Sequence, residues 1–317
     1  MLDFSDIESA YRLIRPVIHK TPLLSSRTFN RMTENETYFK AENLQRVGAF
    51  KFRGAYNKIA SLGAEERARG VIAHSSGNHA QGVALAARLL GLKASVVMPR
   101  NSVKSKIDAT KAYGAEVVFC EDSIDDRERV TEGLIQRHGY VLVHPYNDEK
   151  LIAGQGTVAL EIFQDIKDLD YLFVPVGGGG LIAGCALAAK NLFPGIRVIG
   201  VETEGANDCT LSFRAKELVR LQTVTTIADG IRTLSVGRLN FEIILRHVDD
   251  VITVRDEDLF PMMRFFFERL KTVVEPTGAV APAAAMKNTL SLRGKKICAV
   301  ISGGNVDPAL FGRMLAN

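Results

Sequence analysis

Lys51 stands between Phe50 and Phe52 in a segment bounded by Gly48 and Gly54. A lysine among aromatic side chains loses part of its hydration, and this loss lowers the pKa of its ammonium group. The fraction present as free amine can attack a carbonyl carbon. The alternative is a structural lysine whose alkyl chain is buried while its ammonium group reaches solvent. The first interpretation makes Lys51 a candidate nucleophile.

A run of glycine, which we call the tetraglycine loop, consists of Gly177, Gly178, Gly179 and Gly180. It separates the apolar segment 172–176 from an apolar stretch that begins at Leu181, so the pattern predicts a strand, a loop and a helix. Backbone N–H groups without Cβ atoms can close on an anion, and the helix N-terminus adds the positive end of its dipole. A simple flexible turn is the alternative, but four glycines cost conformational entropy that a turn does not require. The loop therefore predicts a phosphate site.

The same loop also fits a dinucleotide-binding motif. Gly178, Gly180 and Ala183 match the GxGxxA pattern, and Glu202 stands at the end of the next predicted strand, where an acid that contacts a ribose is expected. The motif lies past the middle of the chain, after several strand and helix units, which weakens this interpretation. The spacing alone leaves a nicotinamide-dependent dehydrogenase open as an alternative.

A second glycine loop follows the apolar segment 71–73 and precedes a stretch rich in alanine and leucine. Its polar residues are Ser75, Ser76, Asn78, His79 and Gln81. Ser76 or Asn78 can cap the predicted helix, whose free N–H groups would bind a carboxylate or a phenolate oxygen. Because capping needs only one of these residues, we predict a ligand-binding role for the loop. His79 taken alone is equally compatible with a structural role.

A third loop begins at Ser302 and continues through Gly303, Gly304 and Asn305, after the apolar segment 297–301. A serine hydroxyl at the carboxyl end of a strand can face a ring nitrogen, because ligands of open α/β sheets bind at that edge. A plain glycine turn is the alternative. An amine nucleophile, a phosphate site, a second anion site and a ring-facing hydroxyl together point to one ligand, pyridoxal 5′-phosphate (PLP).

The elements that position these loops alternate regularly along the chain. Strands are predicted near 71–73, 94–98, 117–120, 141–144, 171–176, 198–201, 251 and 297–301, with helices between most of them. This order indicates an α/β fold with two lobes, built from parallel-rich sheets that helices cover. We predict a small domain at 70–145 and a large PLP-binding domain at 1–69 and 146–317. Near the N-terminus, Ser5 and Glu8 form a capping-box pattern that predicts a helix start.

Composition limits the classes of function. The 317 residues are 46% hydrophobic and 24% charged, with a net charge of +4 and no basic run interleaved with aromatic residues, so nucleic-acid binding is not expected. The four cysteines, Cys120, Cys185, Cys209 and Cys298, have neither zinc-like spacing nor the density of a disulfide framework, and we predict reduced, packed thiols. The N-terminal region is acidic and no stretch has the length of a membrane span, so we expect an untargeted cytoplasmic protein.

These motifs resemble the PLP-dependent threonine and serine dehydratases and serine racemases, which have the tryptophan-synthase β fold (fold type II). The resemblance runs from Thr21-Pro22-Leu23 to Ser302-Gly303-Gly304-Asn305. It implies that Lys51 binds the cofactor as an imine, that Phe50 packs on the pyridine ring, that Asn78 meets the 3′-oxygen and that Ser302 faces the ring nitrogen. The implied cofactor-binding residues are Phe50, Lys51, Asn78, Gly177, Gly178, Gly179, Gly180, Leu181 and Ser302. The implied substrate-binding residues are Ser75, Ser76, Asn78, His79, Gln81 and Arg127.

Two further features resemble the branch with racemases and hydroxyaspartate dehydratases. Glu202, Ala206 and Asp208 match the divalent-metal site of the serine racemases, where oxygen ligands suit Mg²⁺, Mn²⁺ or Ca²⁺. Without the resemblance, we would interpret this segment as a solvated acidic turn. Arg127 falls where those enzymes place an arginine that contacts the substrate, and a guanidinium there can pair with a distal carboxylate. As a bare sequence feature, Arg127 is one of several charges on a helix face.

The resemblance implies an ammonia-lyase that converts threonine or serine to a 2-oxo acid and ammonia, with Lys51 and Ser76 as the catalytic residues. Serine racemase and threo-3-hydroxyaspartate dehydratase are alternatives that use the same site, and a non-catalytic PLP-binding protein is a third. Ala49 replaces the serine that many members have before Phe-Lys, which leaves the substrate preference open. The resemblance also implies a homodimer. No regulatory domain follows Asn317 in this sequence, so we do not expect feedback control of the kind found in biosynthetic threonine dehydratases.

Overall fold

Ten strands form two sheets in the computed structural model, which describes residues 2–316. The strands are β1 (Leu23–Ser25), β2 (Glu36–Ala41), β3 (Val71–His74), β4 (Ala94–Pro99), β5 (Glu116–Cys120), β6 (Val141–Leu142), β7 (Tyr171–Pro175), β8 (Arg197–Thr203), β9 (Asp250–Val254) and β10 (Lys296–Ile301).

Helices connect most of these strands. They are α1 (Phe4–Ile14), α2 (Arg27–Thr33), α3 (Lys51–Ala60), α4 (Ala64–Arg69), α5 (Asn78–Leu89), α6 (Lys104–Ala112), α7 (Ile124–His138), α8 (Glu149–Asp165), α9 (Gly180–Leu192), α10 (Asp208–Ala215), α11 (Arg238–His247), α12 (Leu259–Phe265), α13 (Pro276–Lys287) and α14 (Pro308–Ala316). No helix in this part of the chain combines the length and the apolar composition that crossing a membrane requires.

The larger sheet has the strand order β1-β2-β10-β7-β8-β9 and is parallel except at the β1–β2 pair. The carboxyl ends of β10, β7 and β8 therefore lie along one edge. The loops that leave this edge carry Ser302, the tetraglycine loop and the segment after Glu202. Ligands of open parallel sheets bind at such an edge, so the topology places three of the predicted motifs together.

The smaller sheet is wholly parallel, with the strand order β5-β4-β3-β6. All four strands lie between Val71 and Leu142, inside the segment predicted as a small domain. The two parallel-rich sheets with their covering helices confirm the predicted α/β class. The domain boundaries themselves stay a prediction.

Glycines allow three helices to pack unusually closely beneath the site. A Cβ atom at Gly154 on α8 would lie 2.6 Å from the Cα of Gly54 on α3, and one at Gly184 on α9 would lie 2.6 Å from the backbone nitrogen of Gly156. Side chains at these positions would force the helices apart. Since α3 begins at Lys51 and α9 begins in the tetraglycine loop, this packing fixes the positions of two predicted motifs relative to each other.

A buried ion network anchors the start of α3. Arg53 donates Nε and Nη2 to the carboxylate of Glu42, at 2.7 and 2.8 Å, and Nη1 and Nη2 to that of Glu161, at 2.9 and 2.8 Å. Lys40 also pairs with Glu161, at 2.7 Å, and all four side chains are fully buried. Buried charges of this kind need partners on all sides. The network therefore fixes the first turn of α3 between β2 and α8.

The expected elements differ from the structure in a few places. The capping box at the start of α1 uses Asp3 and Asp6, so the Ser5 and Glu8 assignment is wrong. Asp3 accepts from the backbone of Asp6 because the helix begins at Phe4, one residue before the predicted cap. The strand predicted at 141–144 ends at Leu142, and His144 lies in the loop beyond it.

Candidate active site

Lys51 is the first residue of α3, and its Nζ atom donates a hydrogen bond to the carbonyl oxygen of Pro145, 2.8 Å away. Desolvation lowers the pKa of this amine to about 8. The ring of Phe50 lies 5.2 Å from Nζ, whereas Phe52 is buried in the core and contacts Tyr56. The aromatic environment predicted for Lys51 thus comes from one phenylalanine rather than two.

The tetraglycine loop follows β7 and leads into α9, as predicted. Gly179 has a φ of +88°, which favours glycine, and a Cβ atom there would lie 2.6 Å from Val236. A Cβ atom at Gly178 would overlap the ring of Tyr146. The first N–H groups of α9 have no side-chain cap, which leaves them free to bind an anion.

Ser302 lies directly after β10 and is buried, and its hydroxyl donates to the carbonyl oxygen of Thr277 at 3.3 Å. Its own carbonyl accepts from the backbone nitrogen of Phe50, at 3.1 Å. The residue before the lysine is thus bound to the serine loop by a backbone hydrogen bond. This contact places the amine of α3 next to the carboxyl edge of the larger sheet.

The side-chain amide of Asn78, the first residue of α5, forms two hydrogen bonds. Its Nδ2 atom donates to Oε1 of Glu275 at 2.6 Å, and its Oδ1 atom accepts from Asn305 at 2.9 Å. Glu275 is buried, its Oε2 atom has no hydrogen-bond partner in the part of the chain that the structure describes, and burial raises its pKa to about 7. The two contacts fix the orientation of the Asn78 amide, so its second N–H hydrogen remains for a ligand.

The remaining polar residues of the 75–81 loop divide into two groups. Ser75, Ser76 and His79 line the same cavity as Lys51, although His79 is almost fully buried and its Nε2 atom contacts the carbonyl oxygen of Val143 at 2.8 Å. Gln81 lies one turn further along α5, is buried and is not part of the cavity lining. The structure therefore assembles this loop as predicted except for Gln81.

A cavity of about 710 Å³ brings most of the predicted site together. Its lining includes Phe50, Lys51, Ser75, Ser76, Asn78, His79, Gly178, Arg127 and Ser302. A smaller cavity of about 30 Å³ shares Phe50, Lys51, Gly178 and Ser302 with it and is otherwise lined by residues that include Gly177, Gly179, Gly180 and Leu181. A desolvated amine, uncapped helix N–H groups and a buried hydroxyl therefore border one continuous region, and this donor set fits PLP.

Arg127 projects into the large cavity from α7. Its Nε atom is buried without a hydrogen-bond partner among the described residues, so the guanidinium has unused donor capacity. His74 and His144 also line the cavity, and burial lowers the pKa of each ring to about 4. Both rings are therefore neutral at neutral pH.

Glu202 and Asp208 lie together at the end of β8 and the start of α10, and both are fully buried. Glu202 accepts hydrogen bonds from the backbone of Cys209 at 3.1 Å and of Thr210 at 2.6 Å, whereas neither carboxylate oxygen of Asp208 has a partner of normal geometry within residues 2–316. Burial raises the pKa of both carboxyl groups, and the charge of Asp208 raises that of Glu202 further. Ala206 is adjacent through its backbone bridge to Thr203.

This pair is not a conventional metal cluster, because no group of three or more His, Cys, Asp or Glu side chains suited to a metal occurs in residues 2–316. A cation here would need carbonyl or water oxygens in addition to the two carboxylates. The unpartnered oxygens of Asp208 and the mutual repulsion of the pair are compatible with such a cation.

The sequence interpretation missed several residues of the site. Glu275, Asn305 and Thr277 hold Asn78 and Ser302, and Tyr146 covers the tetraglycine loop. A polar residue before a proline at a helix start, as in Glu275-Pro276, was an available signal. No sequence signal indicated the position of Tyr146, because it depends on how the loop after β6 meets the larger sheet.

Comparisons with known proteins identify the family of this chain. The family model described as pyridoxal-phosphate dependent enzyme matches residues 14–303. The chain is 45% identical to L-threo-3-hydroxyaspartate ammonia-lyase of Saccharomyces cerevisiae, over 99% of this chain and 96% of that protein, and 44% identical to serine racemase of Schizosaccharomyces pombe, over 99% and 97%. Among solved structures, maize serine racemase superposes with a TM-score of 0.96 at 41% identity, covering 99% of this chain and 97% of that one.

These matches confirm the predicted resemblance and the fold type II architecture. They give no support to a nicotinamide-dependent dehydrogenase, although Gly178, Gly180, Ala183 and Glu202 fit its motif. The family match covers the lysine, the tetraglycine loop and the serine loop in one continuous stretch. The chain therefore belongs to the pyridoxal-phosphate-dependent enzyme family, within the group that includes ammonia-lyases and serine racemases.

Proposed function

We propose that this enzyme is a PLP-dependent ammonia-lyase that converts β-hydroxy amino acids of the serine, threonine and threo-3-hydroxyaspartate type to 2-oxo acids and ammonia. The observation that carries the proposal is the position of Lys51. Its desolvated amine borders the same cavity as the polar loop at the start of α5 and the guanidinium of Arg127. The named activities of the relatives from both yeasts support the same substrate class.

The residues that would hold the cofactor follow from the site. Lys51 would attach it, the tetraglycine loop, Leu181 and the N-terminus of α9 would bind its phosphate, and Phe50 would pack on its ring. Asn78 would bind the 3′-oxygen, and Ser302 would face the ring nitrogen. When bound, PLP withdraws electrons from Cα of the amino acid, which loosens the Cα proton and the bond to a β-substituent.

The side chains of the protein then have distinct tasks. The N-terminus of α5, with Ser75, Ser76, Asn78 and His79, binds the substrate carboxylate. Gln81 is buried one turn along α5, outside the cavity lining. The Nζ atom of Lys51 accepts the Cα proton, which a pKa near 8 permits at slightly alkaline pH. The neutral Ser302 hydroxyl cannot hold a proton on the ring nitrogen as a carboxylate would, and this favours elimination over a long-lived carbanion.

A second activity, serine racemisation, is supported by Ser76. This residue lines the same cavity as Lys51, and its hydroxyl could return a proton to Cα from the other side of the substrate. Elimination and racemisation would then compete in one site.

We propose further that Glu202, Asp208 and the carbonyl oxygen of Ala206 bind a divalent cation such as Mg²⁺, Mn²⁺ or Ca²⁺. The support is the buried, mutually repelling pair of carboxylates and the unpartnered oxygens of Asp208. Because this site lies outside the cavity lining, the cation would stabilise the segment after β8 rather than contact the substrate.

A homodimer and a cytoplasmic location complete the proposal. Leu44, Phe267 and Val273 are 47%, 40% and 43% exposed, and Asn43 donates to the carbonyl oxygen of Val273, which places Leu44 and Val273 on adjoining segments. Apolar side chains exposed in this way favour a protein partner. All four cysteines are free and buried, which agrees with a reducing compartment.

A substrate panel tests the proposed activity. The holoenzyme is incubated with L-serine, L-threonine and L-threo-3-hydroxyaspartate, and 2-oxo acid formation and the chirality of the remaining amino acid are measured. We expect 2-oxo acid and ammonia in equal amounts from at least one substrate. A yellow holoenzyme that forms neither a 2-oxo acid nor the D-enantiomer from any of them would be a binding protein, and the proposal would be wrong.

A further inference from the structure

His74 is the last residue of β3, and His144 lies two residues beyond the end of β6, the neighbouring parallel strand. Val71 of β3 pairs with Val141 of β6 and Ile72 with Leu142, so each histidine comes three residues after a paired valine. Both lie at the carboxyl edge of the smaller sheet, with ring centroids 6.1 Å apart and planes at 84°. Two neighbouring imidazole rings therefore line the large cavity at this edge of the sheet.

The hydrogen bonds of His144 determine its tautomer. Its Nδ1 atom accepts the backbone N–H groups of both Tyr146, at 3.2 Å, and Asn147, at 2.9 Å. A nitrogen that accepts two N–H donors cannot carry a hydrogen itself, so the single proton of the neutral ring is on Nε2. Burial, His74 and Lys51 all lower the pKa of this ring, to about 4. At neutral pH His144 is therefore a neutral donor of one hydrogen bond.

The two rings have different charged neighbours, the reacting amine near His144 and the guanidinium near His74. Lys51 contacts the carbonyl oxygen of Pro145, the residue after His144, and its charge acts on the His144 ring. The charge of Arg127 acts in the same way on His74. All four side chains line the one cavity. A substrate with Cα at Lys51 and a distal carboxylate at Arg127 would place its β-carbon beside the histidines.

We propose that His144 donates its Nε2 hydrogen to the oxygen on the β-carbon of the substrate. This inference rests on the proposed function and extends it, because it assigns a residue that recognises the β-hydroxyl group. The ring keeps its proton: a neutral imidazole that released it would become an anion. His144 therefore orients and polarises the β-oxygen, and it does not act as a general acid.

The test compares two leaving groups. L-Serine loses hydroxide, whose oxygen benefits from a donated hydrogen bond, whereas β-chloro-L-alanine loses chloride, which does not need one. We expect His144→Phe to lower kcat/KM for L-serine by roughly 10- to 100-fold, the effect of removing one partner of a buried hydrogen bond, with a much smaller loss for β-chloro-L-alanine. His144→Gln, which keeps an N–H donor near the ε position, should restore part of the L-serine activity. His138→Phe, the same change at an exposed histidine, is the matched control.

A purely structural role for His144 predicts a different result. If the ring only shaped the loop at 145–147, both substrates would lose activity equally and glutamine would not restore it selectively. Equal losses, or unchanged kinetics with L-serine, would overturn the proposal.

A binding experiment separates this inference from the proposed activity. L-Malate and succinate are the deaminated counterparts of 3-hydroxyaspartate and aspartate, and they differ only in the hydroxyl group. Calorimetric titration of the holoenzyme should show tighter binding of L-malate, and His144→Phe should abolish this preference while leaving succinate binding unchanged. A preference that is absent in the wild type or intact in the variant contradicts the role of His144, even if no β-hydroxy amino acid is turned over.

Discussion

The amine of Lys51 and the carbonyl oxygen of Pro145 are joined by a hydrogen bond of 2.8 Å. This contact links the first residue of α3, a helix that packs against α5 and α8, to the loop after β6 of the smaller sheet. The carbonyl oxygen carries only a partial charge, so it does not offset the loss of water around the ammonium group. A carboxylate in the same place would raise the pKa of Lys51 instead of leaving it near 8.

The first prediction concerns the pH dependence of cofactor attachment. Only the free amine of Lys51 attacks the aldehyde of PLP, so the rate of attachment to the apoprotein should rise with pH and level off above about 8. Stopped-flow absorbance after mixing apoprotein with PLP measures this rate. Lys51→Ala should show no attachment and no elimination, while Lys167→Ala, at an exposed lysine, should behave as the wild type. A rate that levels off only near the ordinary lysine pKa of 10.5 would contradict the desolvated amine.

The second prediction concerns the buried ion network. Arg53→Met leaves Glu42 and Glu161 buried without their main partner, and we expect a loss of about 3–5 kcal/mol in the free energy of unfolding at pH 7. Urea denaturation measures it, with Arg31→Met at an exposed arginine as the control. A loss below about 1 kcal/mol, as for an exposed pair, would contradict the role of the network.

The same variant should show a characteristic pH dependence. Burial opposes the charged form of Glu42, but its partners, of which Arg53 has the largest effect, together outweigh burial and lower the pKa in the wild type. The wild type therefore has this stabilisation above the ordinary pKa of 4.5 and loses it as the pH falls further. Without Arg53 the burial effect dominates and the pKa of Glu42 rises, so the variant becomes less stable as the pH increases above 4.5. The difference between the two proteins should be larger at pH 7 than at pH 5.

Much of the site followed from local sequence patterns. The strands before the three glycine loops are continuous apolar segments, and parallel strands place their carboxyl ends at one edge. This rule alone brings the tetraglycine loop and Ser302 together. The conformation of Gly179, with its positive φ, agrees with the prediction that the loop needs glycine.

Other features depend on distant contacts that no local pattern contains. The strand β2 is buried through pairing with β10, more than 250 residues later, and the segment 36–41 has a lysine in its interior whose ammonium group is bound by Glu161 and by the carbonyl oxygen of Thr21. Gln81 has a polar side chain of the kind that binds ligands, yet its position on α5 places it in the core. His144 was predicted as the last residue of a strand, and its tautomer depends on two backbone groups that follow it.

The third prediction concerns Asp208. If a divalent cation balances the charges of Glu202 and Asp208, EDTA should lower the Tm of the wild type and Mg²⁺ should restore it. Asp208→Asn removes one of the two charges and with it the repulsion, so this variant should be insensitive to EDTA and at least as stable as the chelated wild type. Asp108→Asn, at an exposed aspartate, should respond to the metal as the wild type does. A wild-type Tm that does not change with EDTA or Mg²⁺ would remove the cation from the proposal.

The fourth prediction concerns the distal carboxylate of the substrate. Arg127 has an unpartnered Nε atom inside the cavity, whereas Arg129 on the same helix is 74% exposed and paired with Asp126. Arg127→Ala should lower kcat/KM for L-threo-3-hydroxyaspartate at least about tenfold more than for L-threonine, because only the first substrate has a second carboxylate to pair with the guanidinium. Arg127→Lys should recover only part of this selectivity, because lysine keeps the positive charge but cannot donate two parallel hydrogen bonds as the guanidinium does. Arg129→Ala should affect neither substrate. If Arg127→Ala instead reduces both activities equally, the arginine supports the fold of the cavity and does not bind a distal carboxylate.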